Sequence, residues 1–174
     1  KMYSTLPELL NESGLKFENR LALSIANSFA YSYGELSKLV AMTAIKLYGL
    51  GVQKGDKISI ISENSPHWIA AYYAALKAGG ITVPVLTDFK GNEMFTILEH
   101  AEASIVILSA TQMKKFKDGF PACVNYFLTI EDLEVHPAKD LKKVMEAEEL
   151  LIDKITPTEP DTNISFPELD QDDL

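Results

Sequence analysis

Cysteine is almost missing from this chain: Cys123 is the only one. With no second thiol there can be no intramolecular disulfide and no multi-cysteine metal knuckle, and Cys123 reads as a small buried apolar residue. Long apolar runs are missing too. Lys, Ser or Gly interrupts each one well before the ~20 residues that a membrane span needs, and the N-terminus has no apolar core of the signal-peptide kind. The expectation is a soluble, cytoplasmic protein without a transmembrane segment, at most peripheral to a membrane through its substrate. There is no Lys/Arg cluster and no basic stripe interleaved with aromatics, which argues against a nucleic-acid partner.

Motifs that carry chemistry by themselves are scarce as well. There is no G-x-x-x-x-G-K-[ST] phosphate loop, no G-x-G-x-x-G between a strand and a helix, and no G-x-S-x-G elbow. Gly49-Leu50-Gly51 falls at the C-terminal end of a predicted helix, where glycine serves a left-handed cap and where anions do not bind. His67, His100 and His136 lie far apart and lack both the i, i+4 spacing and the cysteine partners of a zinc site. Each reads as an ordinary surface or helix-face histidine. No catalytic residue and no metal ligand is therefore assigned within the chain.

What is present is the composition of a globular domain. The 174 residues are 47% hydrophobic and 24% charged, enough for a chain of this length to bury roughly 70% of its unfolded surface. The net charge of −9 is unevenly placed, because residues 153–174 hold seven acids against Lys154 alone and so carry −6 of it. The expected division is an α/β body over 1–152 and an acidic, proline-containing linker over 153–174.

Within the body, helical and strand periods take turns. Residues 6–10 suit a short helix, and 21–26 and 29–33 suit two strands joined at Asn27-Ser28 as a hairpin. Leu36, Leu39, Val40, Thr43, Leu47 and Tyr48 then fall at helical spacing. Strand, helix and strand follow over 57–62, around Trp68, Ile69, Tyr72, Tyr73 and Leu76, and over 81–86. Met94, Ile97, Leu98 and Ala101 suit a third helix, 104–108 a strand, 111–117 a short helix, 124–129 a strand and 141–151 a last helix. Such alternation indicates βαβ crossovers. The runs at 58–61, 81–85 and 105–108 are the near-continuous apolar stretches of strands covered on both faces. The fold class expected is α/β: an open, mostly parallel sheet with helices on both faces and a short N-terminal hairpin.

Two stretches say more than their period. Ser32-Tyr33-Gly34-Glu35-Leu36 has the S-x-x-E form of a capping box, whose physics is helix initiation. Residues 76–85, LKAGGITVPV, are a helix end, a two-glycine reversal and a strand whose Pro84, lacking an N–H, marks an edge, a strand end or a bulge.

These stretches resemble the [TS]-Y-x-E-L and L-K-A-G-x-x-x-V-P core motifs of the adenylate-forming superfamily, in the same order and at similar spacing. Between them, residues 49–68, GLGVQKGDKISIISENSPHW, are similar to the G-V-x-x-G-D-x-V-x-I-x-x-x-N-x-x-E-W stretch, particularly of long-chain fatty-acid–CoA ligases. The likeness covers residues 5–110 well and is weak beyond. At 169–174, LDQDDL resembles the acidic lead-in to the family's phosphate loop, which does not follow within the chain.

The resemblance implies the N-terminal subdomain of an acyl-CoA synthetase. The parent would use ATP, Mg²⁺ and CoA to turn a fatty or other carboxylic acid into an acyl-adenylate and then a thioester, releasing pyrophosphate and AMP. Its catalytic groups are implied to lie later in the sequence, so this segment alone is expected to be inactive, to need no cofactor, and to have the rest of its own chain as partner. A sheet cut partway would leave an unpaired edge, so an artificial dimer of the segment is also expected. Relatives carry N-P and a basic residue after the second motif, where this chain has Thr87-Asp88-Phe89-Lys90-Gly91. Asp88 would repel a phosphate, which leaves Lys90 as the candidate contact for the CoA phosphates. Two alternatives stay open: a parent that adenylates an aryl or amino acid, and a free-standing flavodoxin-like binding or oligomerisation module.

Overall fold

The computed structural model describes residues 5–25 and 30–152; the linker over 153–174 and the turn at Asn27-Ser28 lie outside them. Helix α1 (Leu6–Lys16) starts at Thr5, whose hydroxyl accepts the Glu8 N–H at 3.3 Å, and it runs past the short helix expected at 6–10. Strands β1 (Leu21–Ser24) and β2 (Ala30–Ser32) pair antiparallel as a separate two-stranded ribbon. Helix α2 (Tyr33–Gly49) follows without a loop, because the capping box forms: the Ser32 hydroxyl accepts the Glu35 N–H at 3.2 Å, and a Glu35 carboxylate oxygen accepts the Ser32 N–H at 2.8 Å. Two donors that the first turn of any helix leaves without partners are thereby satisfied. The helix stops at Gly51, which takes a φ of +87° that L-residues avoid.

The main sheet has five strands in the order β4-β3-β5-β6-β7. They are β3 (Lys57–Ile61), β4 (Ile81–Pro84), β5 (Ile105–Leu108), β6 (Tyr126–Thr129) and β7 (Val135–Pro137). The first four run parallel, and β7 pairs antiparallel to β6 through a tight turn. Helices α3 (Pro66–Lys77), α4 (Gly91–Ala101) and the single turn α5 (Ala110–Met113) make the crossovers, and α6 (Leu141–Ile152) closes the chain of described elements. The mainly parallel sheet and the small hairpin are as expected. Strand β7 is an addition; three residues ending in proline show no period to read.

Alternation along the strands builds two cores. Ile58, Ile60, Ile105, Ile107 and Leu128 face α1, α2 and α3, while Ile61, Val106, Leu108 and Phe127 face α4, α5 and α6. The chain leaves β3 for β4 on one side and then returns past β3 to β5. Crossovers of one preferred hand that reverse direction must lie on opposite faces, which is where α3 and α4 are found.

Three expectations of burial change. Strand β4 is not covered on both faces: it is an edge, Ile81 is 50% exposed, and Pro84 ends it, as a missing N–H requires. The face that α3 presses on the core consists of Ala70, Ala71, Ala74 and Ala75. Trp68, Tyr72 and Tyr73 are only half-buried along its flank, with Trp68 and Tyr72 stacked at 5.5 Å. Small residues let the α3 backbone approach the sheet, and the rings then spread sideways. Tyr48 is 73% exposed and lies outside the α2 core face of Leu36, Val40, Thr43 and Leu47.

Candidate functional site

Where the strand order reverses, between the C-terminal ends of β3 and β5, the loops diverge and leave a crevice. In open α/β sheets that switch point is where ligands bind. Here it holds a cleft of about 470 Å³ lined by Tyr31, Ser62, Glu63, Ser65, His67, Ser109, Ile130 and Glu131. A second cleft, of about 380 Å³, opens on the β4 side of β3 and shares Ser62 and Glu63 with the first, adding Asn64, Trp68 and the strand exit at Pro84, Val85, Leu86 and Thr87. Glu63 stands on the ridge between them.

Each wall is held by local chemistry. The Gln112 side-chain amide donates to a Glu63 carboxylate oxygen at 2.7 Å. Partial burial works to raise the Glu63 carboxyl, but hydrogen bonds from Gln112, from its own backbone and from Ser109, with a smaller push from the Lys115 charge, hold it below the usual carboxylate range. Gln112 itself is buried, and among the described residues its amide oxygen meets no donor. His67, read from sequence as a surface or helix-face histidine, is half-buried in the first turn of α3, where it lines the cleft. Its Nε2 is 2.9 Å from the Tyr31 hydroxyl, which fastens the small hairpin to the start of α3.

The helix N-termini around the main cleft look like anion sites, yet several of their donors are spent internally. Ser65 Oγ accepts the Trp68 N–H at 3.1 Å, Ser109 Oγ accepts the Gln112 N–H at 3.3 Å, and Glu131 accepts the Ala110 N–H at 2.9 Å. Among the described residues no Lys or Arg lines the cleft. A wall with two carboxylates and no free cation repels phosphate, so it suits neutral or cationic groups.

The other residues singled out from sequence are scattered. Lys90 sits just ahead of α4, exposed; its backbone N–H donates to a Glu93 carboxylate oxygen at 2.7 Å. His100 is exposed in the last turn of α4, and His136 lies on β7 with its ring 5.1 Å from that of Phe127. Cys123 is half-buried, with its thiol 3.6 Å from the Leu98 carbonyl, and burial pushes it up and away from thiolate chemistry. Among the described residues no group of three or more His, Cys, Asp or Glu could hold a metal ion, and no helix is long and apolar enough to cross a membrane. The main cleft was not visible from sequence. The capping serines Ser65 and Ser109, each placed just after a parallel strand, are the signal that could have located it.

A family model described as AMP-binding enzyme matches residues 10–173. The chain belongs to that family. Among curated relatives, crotonobetaine/carnitine–CoA ligases of Salmonella typhimurium and Escherichia fergusonii are 32% and 35% identical over 80 residues, 46% of this chain and 16% of each relative. The chain spans about a sixth to a fifth of the length of the curated relatives it matches. Its fold is that of the anthranilate–CoA ligase AuaEII, solved with anthranoyl-AMP (TM-score 0.68, 20% identity, covering 74% of this chain and 25% of that one). It is likewise that of a Mycobacterium tuberculosis fatty acyl CoA synthetase (TM-score 0.65, 22% identity, 78% and 28%). AMP-binding enzymes use ATP, Mg²⁺ and CoA in general. The main cleft of this AMP-binding segment, with two carboxylates and no lysine or arginine among its described lining residues, does not fit a triphosphate.

Proposed function

We propose that the parent protein is an ATP-dependent, AMP-forming acid–CoA ligase of the cytoplasm, in which this segment is the sheet scaffold and not the seat of catalysis. The observation that carries the reading is the family match across 10–173, found together with curated relatives that are CoA ligases. The two core motifs fit a scaffold: one is spent on starting α2, and the other turns the chain from α3 into the edge strand β4. ATP, Mg²⁺ and the catalytic groups belong to later residues of the parent. CoA meets this segment at the 86–90 loop, with Lys90 as its phosphate contact.

Within this class, a long-chain fatty acid is the substrate suggested by the resemblance of residues 49–68. A small polar acid bearing a cationic group, such as the carnitine ligases take, is the second reading, favoured by the carboxylate-lined cleft. Acid-dependent ATP–pyrophosphate exchange by the parent separates the two. A panel of long-chain fatty acids, carnitine, crotonobetaine, anthranilate and amino acids should give exchange with the fatty acids. Exchange with amino acids alone would place the parent among peptide-synthetase-like enzymes and end the CoA ligase reading.

A further inference from the structure

The 86–90 loop leaves the sheet after Pro84 and has little structure of its own. Val85 keeps one ladder bond, donating its N–H to the Ile60 carbonyl at 2.9 Å, and the Phe89 N–H reaches back to the Leu86 carbonyl at 3.3 Å. Leu86 is 70% exposed. A loop so lightly held would sample many shapes, yet it walls the second cleft and leads directly into Lys90. What fixes it comes from another part of the sheet. The Lys115 ammonium, just beyond α5, donates to the Thr87 carbonyl and, at 2.9 Å, to the Phe89 carbonyl. The backbone of the same residue presses on the end of the loop: a Cβ built on Gly91 would stand 2.2 Å from the Lys115 carbonyl oxygen. Gln112, one turn earlier on α5, holds Glu63 on the opposite wall of that cleft, and the Lys115 charge also reaches Glu63. One short segment thus grips both walls.

We propose that Lys115 is a positioning residue: its ammonium sets the shape of the 86–90 loop and thereby aims Lys90 at the phosphates of CoA. Lys115 is the cation whose donors are committed, and Lys90 is the one left facing solvent. The proposal rests on the reading that CoA meets this loop. It assigns Lys115 no contact with CoA and no part in the chemistry. A half-buried ammonium bonded to two carbonyls is worth more than an exposed ion pair, since hydrogen bonds to charged groups are among the stronger ones.

The test uses the full-length parent protein carrying Lys115→Met, which keeps the aliphatic stem, and Lys115→Arg, which keeps the charge and donors. Hydrogen exchange is measured over 86–91 beside CoA kinetics. Lys115→Met should speed exchange of the Phe89 and Lys90 amides by about tenfold, the scale of one hydrogen bond to a charged group. It should raise KM for CoA roughly fivefold with kcat at saturating CoA nearly unchanged, and Lys115→Arg should recover most of both. Unchanged exchange in the loop would overturn the clamp. Faster exchange with an unchanged KM for CoA, while Lys90→Ala does raise that KM, would overturn the positioning role and leave the Lys90 contact standing. If Lys90→Ala leaves KM for CoA unmoved, the CoA reading of this loop falls, and the proposal with it. Should Lys115→Met fail to fold, Lys115→Gln, which keeps amide N–H donors but removes the charge, is read by the same measurements and the same outcomes.

Discussion

Two glycines at opposite helix ends invite the same substitution and should answer with opposite signs. Replacing Gly by Ala in a helix gains about 0.5–1 kcal/mol from propensity and from the smaller entropy of the unfolded chain. At Gly49, the last residue of α2, an added Cβ meets nothing within 4 Å and φ is not positive, so Gly49→Ala should stabilise by about 0.5 kcal/mol. At Gly91, the first residue of α4, the same Cβ would lie 2.2 Å from the backbone oxygen of Lys115, roughly 1 Å inside van der Waals contact. A backbone atom cannot swing aside as a side-chain end can. Relief requires α4 or the segment after α5 to move, and overpacking of this kind costs about 1–3 kcal/mol. That exceeds the propensity gain, so Gly91→Ala should destabilise by about 1–2 kcal/mol net. Urea unfolding followed by circular dichroism reads both as shifts of midpoint at constant slope. A Gly91→Ala protein as stable as the parent sequence would refute the reasoning, because the close approach would then impose no constraint.

Other consequences are simpler to state. Ser32→Ala removes the hydroxyl that caps α2 and should cost about 1 kcal/mol in the same urea assay. The Glu35 carboxyl is lowered chiefly by the Ser32 backbone hydrogen bond. Its contribution is therefore present at neutral pH and is lost as pH falls through the folded-state value, so wild type and Glu35→Ala should differ in stability at pH 7 and converge in acid. Ile107→Ala, at a fully buried site on the central strand β5, should cost about 2–5 kcal/mol by thermal or urea unfolding.

Much of the fold can be read from period alone. Ile58, Ile60, Ile105 and Ile107 alternate with residues of the other face, and the amphipathic spacing of α2 and α4 is explicit, so the elements declare themselves. Their order across the sheet does not, because crossover direction is a property of packing and leaves no local mark. That is why the apolar run at 81–85 reads as covered on both faces although β4 stands at an edge, a position to which only Pro84 gives a local hint. Composition also misleads on α3, where aromatic residues draw attention while four alanines make the close contact. The clefts are the least legible part. Glu63 and Gln112 lie 49 positions apart and Lys115 lies 26 from Phe89, and only the return of the chain past β3 brings each pair together. Capping was legible because it is local: Ser32 and Glu35 are three residues apart, and hydrogen-bond geometry fixes that spacing.

The central claim is that this sheet is the scaffold of an enzyme that joins a carboxylic acid to CoA. Thioester formation by the parent protein, followed with ATP, Mg²⁺, a fatty acid and CoA, tests it most directly. The account predicts acyl-CoA and AMP in equal amounts, with pyrophosphate released even when CoA is withheld. Release of ADP in place of AMP, or no thioester with any acid of the panel despite acid-dependent pyrophosphate exchange, would contradict it.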